Sequence, residues 1–266
     1  MHDIPLFDSL THPTIDGTWM PPVPGKNTLQ KLEAEMTANN VEWALAVGMK
    51  DIGGYALEAY ADHIRSASRK IFPVAYYDFN EADAGREIDR KLDDIARYGY
   101  SALKIHPRFS RIDLRSAALR EVLSQAGSRN MPILFCTFLY GQSYSTTPCS
   151  YLDFGPLLAA LAPTSKMVLV HGGDVNLLAL MEVMRPHRNI LLDLSFTLCR
   201  YEGSSVDLDL RYLFRNFDQR ICVGSDNPQF SLAQFRRRFD ELTAGIDRDK
   251  RLKAAHRNLQ SFIGID

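Results

Sequence analysis

Eight short apolar runs recur along this chain of 266 residues, and a longer amphipathic segment follows each of them. The runs are IPLFD (4–8), WALAVG (43–48), IFPVAYY (71–77), SALKIH (101–106), PILFCT (132–137), MVLVH (167–171), ILLDLS (190–195) and RICVGS (220–225). Regular alternation of strands and helices predicts right-handed crossovers and a parallel sheet. Eight such units in this length predict an α/β fold, a closed (β/α)₈ TIM barrel forming a single domain over residues 1–266. An open doubly wound sheet is the alternative.

The segments between the runs have helical periodicity. In the segment 82–98, apolar Ile88, Leu92 and Ile95 fall on one face, and charged residues occupy the other. By contrast, the runs MVLVH and ILLDLS are almost wholly apolar, as is typical of strands covered on both faces. No glycine-rich GxGxxG loop follows the first strand, which argues against a dinucleotide site.

Composition and charge exclude several classes of protein. The formal net charge is -1, so no general attraction to nucleic acid or to an anionic membrane is expected. The four cysteines form no CxxC pair, which argues against a zinc knuckle or a disulfide framework. No apolar stretch approaches the ~18 residues of a membrane span, and the first residues do not resemble a signal peptide. A cytoplasmic protein that acts on a small molecule is the expectation.

Ionisable residues stand at the ends of several predicted strands. They are Asp8 and His12, Lys104 and His106, His171, Asp193, and Asp226. A parallel barrel brings the carboxyl ends of all its strands to one face, so these side chains are expected to share a pocket. The exit Gly224-Ser225-Asp226 is the strongest candidate, because it directs a carboxylate out of an apolar strand. His12, His106 and His171 also fit a structural role, and Cys136 fits core packing.

Two long segments without periodicity also follow predicted strands. They cover 11–27 and roughly 138–150. Loops after the strands of a barrel form its active-site face, and loops of this length are often functional. We therefore expect both to border the pocket.

These pieces, taken in order, resemble the amidohydrolase superfamily, in the branch of decarboxylases and small-acid hydrolases. LFDSLTHP resembles that branch's first strand, and ICVGSDNP resembles its last strand. Between them, GYSALKIHP, MPILFCTF, MVLVHGG and ILLDLS resemble strands four to seven. The resemblance implies a TIM barrel with its active site at the strand ends, and homodimers are common in this branch.

The resemblance also implies one divalent metal, zinc being the best match, held here by His12, His171 and Asp226. This chain departs from the pattern, because Leu10 and Cys136 stand where two further ligands are usual. Zinc normally has three or four protein ligands. Because lactonases of this branch work without metal, hydrolysis with a metal and hydrolysis without one both remain open.

In either mechanism, Asp226 is the expected base that activates water for attack on an ester, lactone or amide. His171 or His106 is expected to polarise or protonate the leaving group. Lys104 and Arg108 are expected to hold a substrate carboxylate or to stabilise the oxyanion. The alternative from a different class is a non-catalytic barrel that binds a small acid or a protein partner, which the departures at Leu10 and Cys136 favour.

Overall fold

Eight parallel strands form one sheet in sequence order, β1 to β8. The computed structural model describes residues 3–21, 23, 25–80, 84–138, 153–159, 161 and 165–265. The strands are β1 Leu6–Thr11, β2 Val41–Val47, β3 Lys70–Tyr76, β4 Ala102–Ile105, β5 Ile133–Cys136, β6 Met167–Val170, β7 Ile190–Asp193 and β8 Ile221–Cys222. Each lies within a run that the sequence identified or overlaps most of it, and the predicted barrel is confirmed.

The segment that leaves β8 joins the sheet to β1. Ser9 N donates to Val223 O at 3.1 Å, and Asp226 N donates to Leu10 O at 3.0 Å. Strand β8 is shorter than predicted, because the backbone at Gly224 comes close to β1. A Cβ atom at Gly224 would lie 2.3 Å from Ser9 Oγ, a separation that no side chain tolerates. These hydrogen bonds fix the direction in which Asp226 leaves the sheet.

Helices connect the strands around the outside of the barrel. They are α1 Leu29–Ala38, α2 Leu57–Arg65, α3 Arg86–Arg97, α4 Pro107–Ser110, α5 Ala117–Ser128, α6 Phe154–Ala159, α7 Leu177–Met184, α8 Thr197–Arg200, α9 Val206–Asn216, α10 Leu232–Leu242, α11 Arg248–Leu252 and α12 Asn258–Ile263. The short helices α4 and α8 were not predicted. Both follow strand ends directly, so they lie at the same end of the barrel as the predicted pocket.

The core has two layers. They are separate because successive side chains along each strand point alternately into the barrel and outward towards the helices. On β5, Leu134 points into the barrel and joins the cluster that contains Phe7 and Val168. Its neighbours Ile133 and Phe135 point outward and pack in the larger cluster under the helices. The barrel interior is therefore a filled core, which leaves room for a ligand only beyond the ends of the strands. Within the described part of the chain, no helix is long and apolar enough to cross a membrane.

Candidate active site

A cavity of about 140 Å³ lies at the carboxyl ends of the strands. Five of the ionisable residues that the sequence singled out line it, together with Arg108: they are His12, Lys104, His106, His171 and Asp226. Asp8 and Asp193 do not line it, although both lie on strands that lead towards it. These five ionisable residues come from β4 or from the segments just after β1, β4, β6 and β8, so the barrel gathers groups that are far apart in sequence.

Asp226 and His12 face each other across this cavity. His12 Nε2 lies 3.4 Å from Asp226 Oδ1, and His12 Nδ1 lies 3.0 Å from the carbonyl oxygen of Val47. A carboxylate and a carbonyl both accept hydrogen bonds, so an imidazole ring with protons on both nitrogens satisfies both contacts. Trp19 stacks on the His12 ring at a centroid distance of 4.8 Å and fixes its plane.

The charge of Asp226 is stabilised although the side chain is enclosed. Burial alone raises the pKa of Asp226, but the hydrogen bond with His12 and the nearby His171, His12 and Lys104 outweigh burial, and the pKa is lowered. Asp226 is therefore ionised at neutral pH. A half-buried, ionised carboxylate that faces a cavity is able to accept a proton from a bound water molecule.

The loop after β6 and the loop after β7 hold His171. His171 Nδ1 lies 3.3 Å from both the carbonyl oxygen and the hydroxyl oxygen of Ser195. The Ser195 hydroxyl donates to the Asp193 carboxylate, so it offers His171 a lone pair. Nδ1 therefore carries the ring proton, and Nε2 keeps a lone pair. Burial lowers the pKa of His171 to about 4, so the ring is neutral at neutral pH.

His106 has the opposite arrangement of its ring nitrogens. Its Nδ1 accepts a hydrogen bond from Phe109 N at 3.4 Å, as the residue that caps α4. Burial, reinforced by Lys104 and Arg108, holds the pKa of His106 well below its ordinary value. The neutral ring must then carry its proton on Nε2. His106 is a hydrogen-bond donor, whereas His171 is an acceptor.

Lys104 is the buried cation of the site, with 1% of its surface exposed. Burial lowers its pKa, and the carboxylates of Asp226 and Asp193 act against that shift. Among the described residues, no carboxylate forms an ion pair with it. A buried cation that lines a cavity without such a partner favours an anionic ligand. The Arg108 guanidinium lies 4.8 Å from the centre of the Phe138 ring, at the edge of the same cavity.

Beneath the cavity, two fully buried carboxylates support the strand ends. Asp8 accepts hydrogen bonds from Ser225 N at 2.8 Å and from Ser225 Oγ at 2.6 Å. Asp193 accepts from Ser9 Oγ at 2.5 Å and from the Ser195 hydroxyl. Burial raises the pKa of both, that of Asp8 to about 7. Asp8 holds Ser225, which precedes Asp226, and Asp193 holds Ser195, which follows β7. Their position therefore indicates a supporting role.

Three strand exits around the cavity have left-handed backbone at residues other than glycine. The φ angles are 71° at His171, 64° at Phe196 and 58° at Asp226. This conformation is unfavourable for residues with a Cβ atom, and such residues concentrate at functional sites. The strain at three neighbouring exits supports the assignment of this end of the barrel as the site.

Sequence reasoning missed the aromatic part of the lining. Trp19, Phe109, Phe138 and Phe196 all border the cavity. Trp19 lies in the segment 11–27, which its length had marked as a border of the pocket. Phe138 begins the other such segment, but residues 139–150 lie outside the described residues. The aromatic rings, the buried Lys104 and the half-buried Arg108 together fit a small, flat, acidic ligand.

The donor set does not fit the metal centre that the resemblance implies. In the part of the chain that the structure describes, no three His, Cys, Asp or Glu residues come together as a metal site requires. Leu10 is hydrocarbon, and burial raises the pKa of the Cys136 thiol, which disfavours the thiolate that a metal needs. His171 lies on the cavity wall, but only His12 and Asp226 are paired, and Lys104 places a competing positive charge nearby.

Comparison with known proteins identifies the fold. No family model matches the chain, and no curated protein matches it. Among solved structures, an uncharacterized TIM-barrel protein from Bordetella bronchiseptica matches with a TM-score of 0.81 at 16% identity, over 98% of this chain and 99% of that one. A probable 2-pyrone-4,6-dicarboxylic acid hydrolase from Acinetobacter baumannii, with citric acid bound, matches with a TM-score of 0.70 at 12% identity, over 98% and 100%.

Other matches carry related names. An amidohydrolase from Burkholderia multivorans matches with a TM-score of 0.71 at 13% identity, over 98% of this chain and 100% of that one. Further matches include decarboxylases. At these identities the likeness shows the fold. The chain therefore shares the (β/α)₈ barrel fold of these solved proteins, whose names include hydrolases and decarboxylases.

Proposed function

We propose that this protein is a hydrolase of the amidohydrolase superfamily that opens an ester, lactone or amide of a small acid without a metal ion. The observation that carries the proposal is the ionised, half-buried Asp226, which lines the same cavity as a buried lysine that has no carboxylate partner among the described residues. The base and the anion-binding group of a hydrolase are thus next to each other. The shared fold with a probable 2-pyrone-4,6-dicarboxylic acid hydrolase supports a substrate with carboxylate groups.

In this proposal, the cations bind the substrate. Lys104 and Arg108 hold a carboxylate of the substrate, and the neutral His106 donates its Nε2 proton to the carbonyl oxygen that will be attacked. The aromatic rings of Trp19 and Phe138 enclose the apolar part of the molecule. The small cavity limits the ligand to a compact acid.

The reaction itself needs one water molecule and one base. Asp226 removes a proton from the water as its oxygen attacks the carbonyl carbon, and the lone pair on His171 Nε2 helps to orient that water. The oxyanion that forms is stabilised by His106 and Lys104. When the tetrahedral intermediate collapses, the bond to the leaving oxygen or nitrogen breaks, and the proton held by Asp226 passes to the leaving group. The products are a carboxylate and an alcohol or amine.

A screen with lactones and esters of small di- and tricarboxylic acids tests the proposal. We expect turnover by the wild-type protein and a loss of about 10³-fold in kcat in Asp226→Asn, because general base catalysis typically contributes 10²–10⁴-fold. The variant keeps the size of the side chain and one acceptor oxygen but replaces the other oxygen by an NH₂ donor, so circular dichroism and the melting temperature serve as the control for folding.

The same screen distinguishes the proposal from the non-catalytic alternative. The departures from the metal pattern at Leu10 and Cys136 are the observations that favour a binding protein. Acids that raise the melting temperature, without turnover of any corresponding ester, lactone or amide, would assign the cavity to binding alone. Full turnover in Asp226→Asn would show that another group is the base.

A further inference from the structure

The opposite end of the barrel carries a second cleft, which the proposed function does not use. Its volume is about 800 Å³. Residues that come directly before strands form much of its wall, since Lys166 precedes β6, Asn189 precedes β7 and Arg220 precedes β8. In a parallel barrel these positions lie at the amino-terminal end, away from the candidate active site. Residues of α12 and the turn before it complete the wall.

The cleft is strongly basic. Among the described residues that line it, four are cations, namely Lys166, Arg188, Arg220 and Arg257, and none is acidic. The other polar groups are side-chain amides and a serine, which also bind anions through hydrogen bonds. Because the whole chain has a formal net charge of -1, this concentration of positive charge is local and does not reflect a basic protein.

Most of this charge is not balanced within the described residues. Arg257 forms an ion pair with Asp249 at 2.9 Å. The structure gives no carboxylate partner to Lys166, Arg188 or Arg220 among those residues. The ammonium of Lys166 lies over the Phe262 ring, 5.8 Å from its centre. Lys166 and Arg188 therefore remain available at this surface, whereas the Arg220 guanidinium already donates to backbone carbonyl oxygens.

Arg220 forms the fixed wall of the cleft. Its Nε donates to the carbonyl oxygen of Ile190 at 3.0 Å, and its Nη2 donates to the same oxygen at 2.8 Å and to the carbonyl oxygen of His187. Burial lowers the pKa of Arg220, and the positive charges of Arg188 and Arg185 lower it further. This guanidinium is thus held rigidly among other cations, an arrangement that a bound anion relieves.

We propose that this cleft binds a small polyanion, a molecule that carries several phosphate or carboxylate groups. Guanidinium groups match phosphate and carboxylate oxygens in pairs, and several of them around one cleft favour a ligand with more than one such group. The volume lies within the ~300–1,000 Å³ that is typical of small-molecule sites. Phe262 adds an apolar surface at one side, next to Lys166.

Isothermal titration with tripolyphosphate, ATP and citrate at about 10 mM salt tests this proposal, since screening is weak there. We expect one molecule of tripolyphosphate per chain and at least a tenfold weaker affinity in the double variant Lys166→Gln, Arg188→Gln. Both side chains are exposed, so the substitutions are expected to leave folding intact. The ligand class is assigned in the Lys104→Met background, because citrate is also expected to bind at the candidate active site. In that background, tighter binding of ATP than of tripolyphosphate would assign the ligand to phosphorylated organic molecules, equal binding would assign it to the phosphate chain itself, and tighter binding of citrate would assign it to polycarboxylates.

Two controls locate the binding. The double variant Lys31→Gln, Arg90→Gln changes the net charge equally on exposed helices elsewhere, and it should bind as the wild type does. Lys104→Met, which alters the opposite end of the barrel, should also keep tripolyphosphate binding. Absence of binding by the wild type, or unchanged affinity in the Lys166, Arg188 variant, would overturn the proposal. Because neither readout involves turnover, failure of the proposed hydrolase activity would leave this result unaffected.

Discussion

The two ends of this barrel both concentrate positive charge, but they do so in different ways. At the carboxyl ends of the strands, Lys104 is buried beside Asp226, and the histidines around them are neutral or paired. At the amino-terminal end, Lys166 and Arg188 are exposed, and the part of the cleft wall that the structure describes contains no acid. The first arrangement suits chemistry, because an ionised base lies next to an anion-binding group. The second suits binding alone, because it holds no group that is able to remove a proton.

The largest effect that separates the two ends is expected at the buried lysine. Lys104→Met should weaken the binding of a tricarboxylate such as citrate at the candidate active site by about 100-fold, because removing a buried charge from its partner typically costs 2–5 kcal/mol. Calorimetry with the cleft variant Lys166→Gln, Arg188→Gln as background isolates this site.

A matched substitution provides the control for this prediction. Lys50→Met removes an exposed lysine just after β2, where it pairs with Asp78 at 2.8 Å on the surface. It should change the affinity less than twofold, since exposed ion pairs contribute little. Equal losses in the two variants would mean that the buried position of Lys104 has no special importance for binding.

The second effect concerns stability, because two fully buried acids, Asp8 and Asp193, lie beneath the candidate active site. The pKa of Asp8 is raised to about 7 in the folded protein from an ordinary value of 3.8. Between these values the folded protein binds a proton that the unfolded chain has released, so the free energy of unfolding falls as the pH rises. From pH 5 to pH 7 the contribution of Asp8 to the free energy of unfolding falls by about 2 kcal/mol.

His171 acts in the opposite direction. Its pKa falls to about 4 from an ordinary value of 6.5, so the unfolded chain binds more protons between these values and stability rises with pH. In the wild type the two contributions largely cancel. In Asp8→Asn, the free energy of unfolding should therefore rise from pH 5 to pH 7 by about 2 kcal/mol more than it does in the wild type. Urea unfolding at each pH measures this difference.

The amino-terminal cleft gives the contrast for this measurement. Lysine and arginine side chains in general stay protonated from pH 5 to pH 7, so the free energy of unfolding of the Lys166, Arg188 variant should depend on pH as that of the wild type does. If the free energy of unfolding changed with pH in the same way in the wild type and in Asp8→Asn, Asp8 would already be ionised at pH 5. The hydrogen bonds from Ser225 would then fully offset the effect of burial on the pKa of Asp8.

The sequence predicted the barrel and the end at which ionisable residues gather, because both follow from alternation and from the rule that parallel strands end on one face. His106 was predicted as the end of a strand, but it caps α4, and this fixes which of its nitrogens carries the proton. A helix of four residues has too little periodicity to be recognised. Trp19 and Phe196 reach the cavity through loop conformations that no local pattern specifies.

The basic cleft was missed for a different reason. The sequence was searched for polar residues after strands, whereas Lys166, Asn189 and Arg220 come directly before them. The same topological rule, applied to the other end of each strand, brings these residues together. The volume of the cleft and the absence of acids from its described lining could be established only from the structure, because both depend on how the helices close around the strands.

The measurement that tests the central claim most directly is hydrolysis by protein from which metal has been removed. Wild-type protein treated with a strong chelator, and Asp226→Asn treated in the same way, are assayed on a lactone or ester that the screen has identified. The account predicts that the wild type keeps its full rate, that added zinc does not increase it, and that Asp226→Asn is inactive. A rate that disappears with the chelator and returns with zinc would contradict the account.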